Sequence, residues 1–383
     1  MRSILLFSFG CLITPIFKIL ALFINFRFCH LHTTRIGHQI INFDFALLSV
    51  SKGTIILCSH DKKVANNFIL SFFKKQKKVL FLEIFKYFYY AIYYINPNSN
   101  LIISWGQYHP NFSFYLNLKS MIKTPVFSDN KIKEILSKYN IKKNFVGFFS
   151  RNNLYVEKYA KKDKNFHDFR NSDFTDYKLA IEYLNQKNNS IIKLGEDFSE
   201  VDLKKIKTKI FTSKDFNSNE ETDYFINTHS RYNVVTVSGI TGMSTLVRKK
   251  LVYVNFIPLN LSQLSWCSPG SLILPKKIFN KQKGRFLTFK ENTEIEFDIH
   301  TEIDPYKKND LSVINNSPKE ILDGIIEMEE KLLGNISDDS IRLNNLFWKS
   351  ITDNNHEKIN YLKNNLKLFI STSFLKNNQN LYD

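Results

Sequence analysis

Glycine, proline and cysteine are scarce in these 383 residues, numbering 12, 9 and 4. The cysteines, Cys11, Cys29, Cys58 and Cys267, stand far apart. That excludes a disulfide framework and a cysteine metal centre, and makes a reducing cytosol the expected compartment. The glycines spell neither G-x-G-x-x-G nor a phosphate-binding loop with its lysine. No Asp-x-Asp follows a strand, and no His/carboxylate cluster has metal spacing, so neither a catalytic metal nor a cofactor is expected. Acidic residues are also short, 36 against 53 basic ones, which leaves a net charge of +17. Nucleic acid, anionic lipid and phosphorylated substrates are the partners such a charge allows. A chain rich in Lys, Asn, Ile and Phe is typical of AT-rich coding, and that bias accounts for part of the charge. With no zinc finger and no RNA-binding aromatic signature, nucleic acid is not expected.

An uninterrupted apolar run is missing too. "ILLFSFGCLITPIF" (Ile4 to Phe17) is broken by Pro15 and followed by Lys18, short of the roughly 20 apolar residues of a spanning helix. No small-residue cleavage site marks a signal peptide. Residues 1–26 are therefore expected to form an apolar helix in the membrane interface, with Lys18 at the boundary and Arg2, Arg27 and Arg35 facing anionic head groups. A helix covering a hydrophobic groove is the alternative. Peripheral attachment to the inner face of the cell membrane follows from the first reading.

The rest of the chain is well supplied with core residues: 43% are hydrophobic and 15% aromatic. Strand and helix patterns alternate after residue 26, which predicts parallel sheets. Two such series imply an α/β protein of two Rossmann-like domains facing a cleft. Their expected bounds are 27–142, for an acceptor domain, and 143–350, for a nucleotide-sugar domain. A helix near "EKINYLKNNLKLFI" and a frayed tail complete residues 351–383. No internal repeat is visible.

In such sheets ligands bind beyond the carboxyl ends of strands. Three predicted strand ends carry suitable residues: Arg151, with Asn152 and Asn153, after "FVGFF"; Ser238, Gly239, Thr241 and Gly242 after "NVVTV"; and Asn255 after "LVYV". Two glycines before a helix expose backbone N–H groups to an anion, although an ordinary turn uses glycine as well. "NFHDFRNSDFTDYKLAIEYL" (Asn165 to Leu184) ends in a helix whose apolar face is Tyr177, Ala180, Ile181 and Leu184. Capping explains Ser172 or Asp173 but calls for neither His167 nor Arg170. With Asn171, these suggest a phosphate or sugar site. His38, beside Arg35 and Gly37, is a candidate general base. His60 is a weaker one, and Glu196 a candidate for a sugar hydroxyl.

Several segments together resemble a family of bacterial glycosyltransferases with a GT-B-like fold, found in surface-polysaccharide loci. "TTRIGHQIINFDFAL" is similar to its R-I-G-H opening, and "FHDFRNSDFTDYKLAIEYL" to its H-D-x-R-N-S-D segment. "VSGITGM", "GSLILPKKIF" and "SPKEILDGIIEMEEKL" resemble its later segments, so the resemblance covers most of residues 27–350. It implies metal-independent transfer of a sugar from a nucleotide-sugar donor to a glycan or lipid-linked acceptor. His38 and His167 would be catalytic. Arg35, Gly37, Arg151, Arg170, Asn171, Ser238, Gly239, Thr241, Gly242 and Asn255 would bind substrate. Asn152 stands where the family tends to have Asp, which puts activity in doubt. A polysaccharide pyruvyl transferase-like enzyme and an inactive nucleotide- or glycan-binding relative are the competing readings.

Overall fold

The computed structural model describes residues 2–104, 122–152, 167–195, 205–216, 219–295, 304–351 and 356–382. By contacts the chain divides into two compact units. One is Met1–Phe127 with Thr245–Arg248; the other is Ser128–Ser244 with Lys249–Asp383. The alternation of elements suggests a join near residue 142. The contact division lies earlier, because helix Asp129–Lys138 goes with the second unit, where Tyr139 Oη donates to the Phe216 carbonyl at 2.8 Å.

The first unit holds a parallel sheet of β1 (Phe26–Leu31), β2 (Ile55–His60), β3 (Val79–Phe81) and β4 (Ile102–Ile103), in the order β3-β2-β1-β4. Its helices are α1 (Arg2–Leu20), α2 (Ile36–Leu48), α3 (Asn67–Phe73) and α4 (Phe85–Ile95). The run "FKYFYYAIYYI" of α4 is rich in β-favouring aromatics, yet Phe85, Tyr89 and Ile92 fall on one helical face and are buried. Tertiary burial at 3.6 spacing outweighs the weak strand preference. These side chains pack on Phe26, Phe28 and Leu101, with Phe17 of α1 edge-on to Phe28 at 4.9 Å. Gly10 lets α1 approach α4 closely, since a Cβ there would overlap the Ala91 carbonyl. No helix among the described residues is long and apolar enough to cross a membrane.

The second unit is built on seven parallel strands in the order β14-β10-β9-β8-β5-β6-β7. They are β5 (Phe145–Phe149), β6 (Ser190–Lys193), β7 (Ile210–Phe211), β8 (Asn233–Val235), β9 (Leu251–Phe256), β10 (Leu272–Pro275) and β14 (Phe369–Ile370). From β5 the chain winds outward through β6 and β7, then returns to the other side of β5 and winds outward again through β8, β9 and β10. The order therefore reverses between β5 and β8, the switch point where such sheets open a crevice. Helix Lys178–Gln186 buries Ala180, Ile181 and Leu184 as its periodicity predicts. Helix Pro318–Leu332 starts with a reciprocal Ser317/Glu320 cap and buries Ile321, Ile325 and Met328 against the same core. A small antiparallel sheet of β11 (Lys277–Asn280), β12 (Arg285–Phe286) and β13 (Leu311–Ile314) stands beside it.

Ser128 caps helix Asp129–Lys138, accepting from Lys131 N–H at 3.3 Å. One expectation changes here. The end of the chain is packed, not frayed: β14 pairs with β10, and Ile370, Phe374 and Leu375 are fully buried.

Gly147 on β5 faces the Asn233 side chain, whose amide donates to Asn227 O at 3.0 Å and Ser244 Oγ at 2.9 Å. A Cβ at Gly147 would overlap the Asn233 oxygen, and those two bonds restrain Asn233 from yielding. Gly147→Ala should destabilise the protein by about 1–3 kcal/mol, as overpacking does. Denaturant unfolding checks this; an unchanged midpoint would show that Asn233 has room.

Candidate functional site

At the switch point Arg151 follows β5, and the turn from Val237 to Gly242 follows β8. The loop His167–Ser172 joins them. Its anchor is Phe169, buried with Ile257, Ile278 and Tyr306 between the large sheet and the antiparallel one. The flanking polar residues are thereby held in place. Ser172 N–H donates to Arg151 O at 3.0 Å. Arg151 N–H donates to Thr236 Oγ1 at 2.9 Å, and its Nη1 donates to His167 O at 2.9 Å and to Asn171 Oδ1. Arg170 Nη2 reaches across to Val237 O at 2.9 Å. Lys276, just past β10, donates from Nζ to Phe169 O at 2.8 Å and to Asn171 O at 2.7 Å.

Two half-buried arginines and a buried lysine thus converge on one loop. Burial lowers the Arg151 pKa, against the pull of Asp168. Burial, and then repulsion from Arg151, lower Arg170 to about 10. The same two causes bring Lys276 down to about 7, with Asp176 opposing. Burial also raises the Asp176 carboxyl. Among the described residues, two polar atoms at this place are buried without a hydrogen-bond partner, Arg170 Nε and Ser238 Oγ. Buried donors without partners are rare and costly. Here they lie where positive charge is in excess, so the arrangement suits an anion with several acceptor oxygens.

The other expected residues take varied places. Asn255 is 1% exposed and left-handed (φ +53°). Its backbone N–H and Oδ1 are matched to Asn316 at 2.7 and 2.6 Å, and its Nδ2 donates to Ser172 Oγ at 2.7 Å. It braces the loop. Asn171 Nδ2 donates to Asp168 Oδ1 at 3.1 Å. His167 is buried and left-handed (φ +65°), its ring 5.5 Å from that of Phe169. Neither Gly239 nor Gly242 is left-handed. The helix that follows Gly239 and contains Gly242, Thr241–Leu246, is six residues long, and Thr241 Oγ1 donates back to Ser238 O at 2.7 Å. The Ser-Gly turn therefore contributes its serine hydroxyl and its place at the strand end more than a helix dipole. Arg35, Gly37 and His38 belong to the first unit, at the start of α2, with Arg35 and His38 exposed. His60 Nδ1 lies 2.7 Å from Asp61 O. Asn153 and Glu196 lie outside the described residues.

Lys276 is a site residue that the strand-end reasoning omits; a lysine just past a buried strand, in "LILPKK", is the signal that would find it. A second omission is in the first unit. His30, at the end of β1, meets His32 and Asp61, with His30 Nε2 3.2 Å from Asp61 Oδ1 and His32 Nδ1 3.7 Å from Asp61 Oδ2. Burial lowers the His30 pKa to about 4, although Asp61 pulls the other way.

No protein-family model and no curated protein matches the chain. Among solved structures, the family 9 glycosyltransferase of Veillonella parvula DSM 2008 is similar with a TM-score of 0.50 and 10% identity, over 81% of this chain and 98% of that one. The ADP-heptose lps heptosyltransferase II of E. coli is similar with a TM-score of 0.45 and 10% identity, over 79% and 99%. At this identity the likeness is one of fold: a mixed α/β chain with parallel sheets, consistent with a GT-B-like glycosyltransferase fold.

Proposed function

We propose that this chain is a glycosyltransferase that moves a sugar from a nucleotide-sugar donor to a polysaccharide or lipid-linked acceptor at the inner face of the cell membrane. One observation carries the reading: the desolvated cations Arg151, Arg170 and Lys276, with the unpartnered Arg170 Nε and Ser238 Oγ, at the switch point of a seven-stranded parallel sheet. In such a transfer the bond from the sugar's anomeric carbon to the diphosphate breaks, and negative charge grows on the leaving oxygen. Preorganised cations in a poorly hydrated site stabilise that charge more in the transition state than in the ground state. The acceptor hydroxyl forms the new bond and gives up its proton. His38, exposed on α2, and His167, in the donor loop, are the assigned candidates for the base. Arg35 and Gly37 are assigned to the acceptor. The fold shared with a family 9 glycosyltransferase is compatible with this chemistry.

The membrane part rests on α1 and the turn after it. Leu12, Ile16 and Ile19 are mostly exposed, and Leu22 and Phe23 are 80% and 81% exposed. Tyr87, Tyr93 and Tyr94 of α4 are exposed too. An apolar ridge with tyrosines and basic residues is the composition of an interfacial anchor. Since Phe17 is part of the core, the test leaves it in place. The double substitution Leu12→Ser with Phe23→Ser should weaken binding to anionic vesicles by about tenfold or more without lowering the melting temperature. Vesicle co-sedimentation reads this, and undiminished binding would reject the anchor.

A charge-assisted contact of Arg170 with the diphosphate is worth roughly 1.5–3 kcal/mol. Arg170→Ala should therefore weaken nucleoside-diphosphate binding by roughly 10- to 150-fold while leaving the free nucleoside little changed. Arg170→Lys should recover part of the loss, lacking the forked geometry. If both ligands weaken equally in calorimetric titration, Arg170 is a loop brace and the phosphate role fails.

Lys276 adds a pH signature. With its pKa near 7 in the free protein, the amine is mostly neutral at a pH of about 8. A bound phosphate favours the charged form, so binding should take up a proton at that pH and weaken as pH rises further. For stability the sign is opposite to a salt bridge. The burden of the charged amine is full below about 7 and is relieved as pH rises toward the ordinary value of 10.5. Titration of inorganic pyrophosphate in buffers of different ionisation enthalpy should show more proton uptake in the wild type than in Lys276→Met, a comparison that cancels the ligand's own ionisation. Equal buffer dependence in the two proteins would contradict the assignment.

A further inference from the structure

We infer that His30, His32 and Asp61 form a site for a first-row divalent transition ion, with zinc the best match, at the carboxyl ends of two neighbouring parallel strands. This goes beyond the proposed sugar transfer and does not depend on it. The two histidines are two positions apart, so the period of the strand sends both to the same face. β1 pairs in parallel with β2 in a register that sets Leu31 against His60, which brings Asp61 level with His32. One ligand atom from each of the three side chains lies within 4.8 Å of the others. Each histidine faces its own oxygen of the Asp61 carboxylate, His30 Nε2 at 3.2 Å from Oδ1 and His32 Nδ1 at 3.7 Å from Oδ2, separations close to the ligand–ligand spacing of about 3.4 Å that tetrahedral zinc bonds of roughly 2.1 Å require.

The surroundings hold these groups in ligating orientation. His30 Nδ1 lies 2.9 Å from Ser59 Oγ, so the ring's other nitrogen, Nε2, is left to face Asp61. This is the outer contact that fixes the tautomer of a metal-bound histidine. Thr33 N–H donates to Asp61 Oδ2 at 3.0 Å, and Thr33 Oγ1 donates to Lys63 O at 2.9 Å, tying the segment after β1 to the segment after β2. Tyr90 packs on the buried His30 ring at 5.2 Å. Imidazole with one carboxylate suits zinc or ferrous iron better than magnesium or calcium, which prefer oxygen. Three protein ligands leave a coordination position for water or a ligand hydroxyl. A cavity of about 400 Å³ shares Ser59 and Asp61 with the cluster and is also lined by Lys62 and Glu83.

The experiment titrates metal-stripped full-length protein with Co²⁺, followed by its visible d–d absorption, and then with Zn²⁺ by calorimetry. Binding of one ion per chain is expected. The side chain of His32 is 47% exposed, so His32→Ala should fold normally, as its melting temperature without metal would show. It should weaken Co²⁺ and Zn²⁺ binding by at least tenfold, and Asp61→Asn should do the same. Absence of the Co²⁺ band in the wild type, or wild-type affinity in His32→Ala, would overturn the assignment.

Discussion

Placing a cation in a poorly hydrated site costs several kcal/mol unless other charges and hydrogen bonds offset it. The second unit does this with three, Arg151, Arg170 and Lys276, around a single six-residue loop. Backbone carbonyls of His167, Phe169, Asn171 and Val237 accept hydrogen bonds from them. Carbonyls orient a cation without neutralising it. Asp168 and Asp176 act on Arg151 and Lys276, whereas the neighbouring charge that acts most on Arg170 is another arginine. In the proposed function the donor diphosphate supplies the balancing negative charge.

The rest of the second unit follows from holding that loop still. Phe169 pins its centre in an apolar cluster, and Asn255 with Asn316 and Ser172 ties its end to β9. The sheet order supplies the opening, because the chain leaves β5 in one direction and returns on the other side with β8. The first unit repeats the principle at smaller scale, with chemistry-bearing residues at the ends of β1 and β2. Its aromatic core carries an apolar outer helix.

Much of this was legible in the sequence where local pattern and burial agree. Tyr177, Ala180, Ile181 and Leu184 form the face their spacing predicts, and β5, β8 and β9 fall on the strands read from "FVGFF", "NVVTV" and "LVYV". The helix Phe85–Ile95 was not legible, because its tyrosines and phenylalanines favour a strand locally and only tertiary packing selects the helix. Neither was the packed end of the chain, whose two-residue strand means nothing without its partner β10. Arg151 and Arg170 could be read as charges at strand ends. The bracing role of Asn255 could not, since it depends on Asn316, far away in sequence. Lys276 and the His30–His32–Asp61 cluster needed the sheet register to bring them together.

The central claim is that the seven-stranded sheet's switch point is a diphosphate site. The most direct measurement is an experimental structure with a nucleoside diphosphate bound. The account predicts phosphate oxygens within hydrogen-bonding distance of Arg170 Nε and Ser238 Oγ, with Lys276 and Arg151 flanking them. A diphosphate bound elsewhere, with those two atoms still unpartnered, would contradict it.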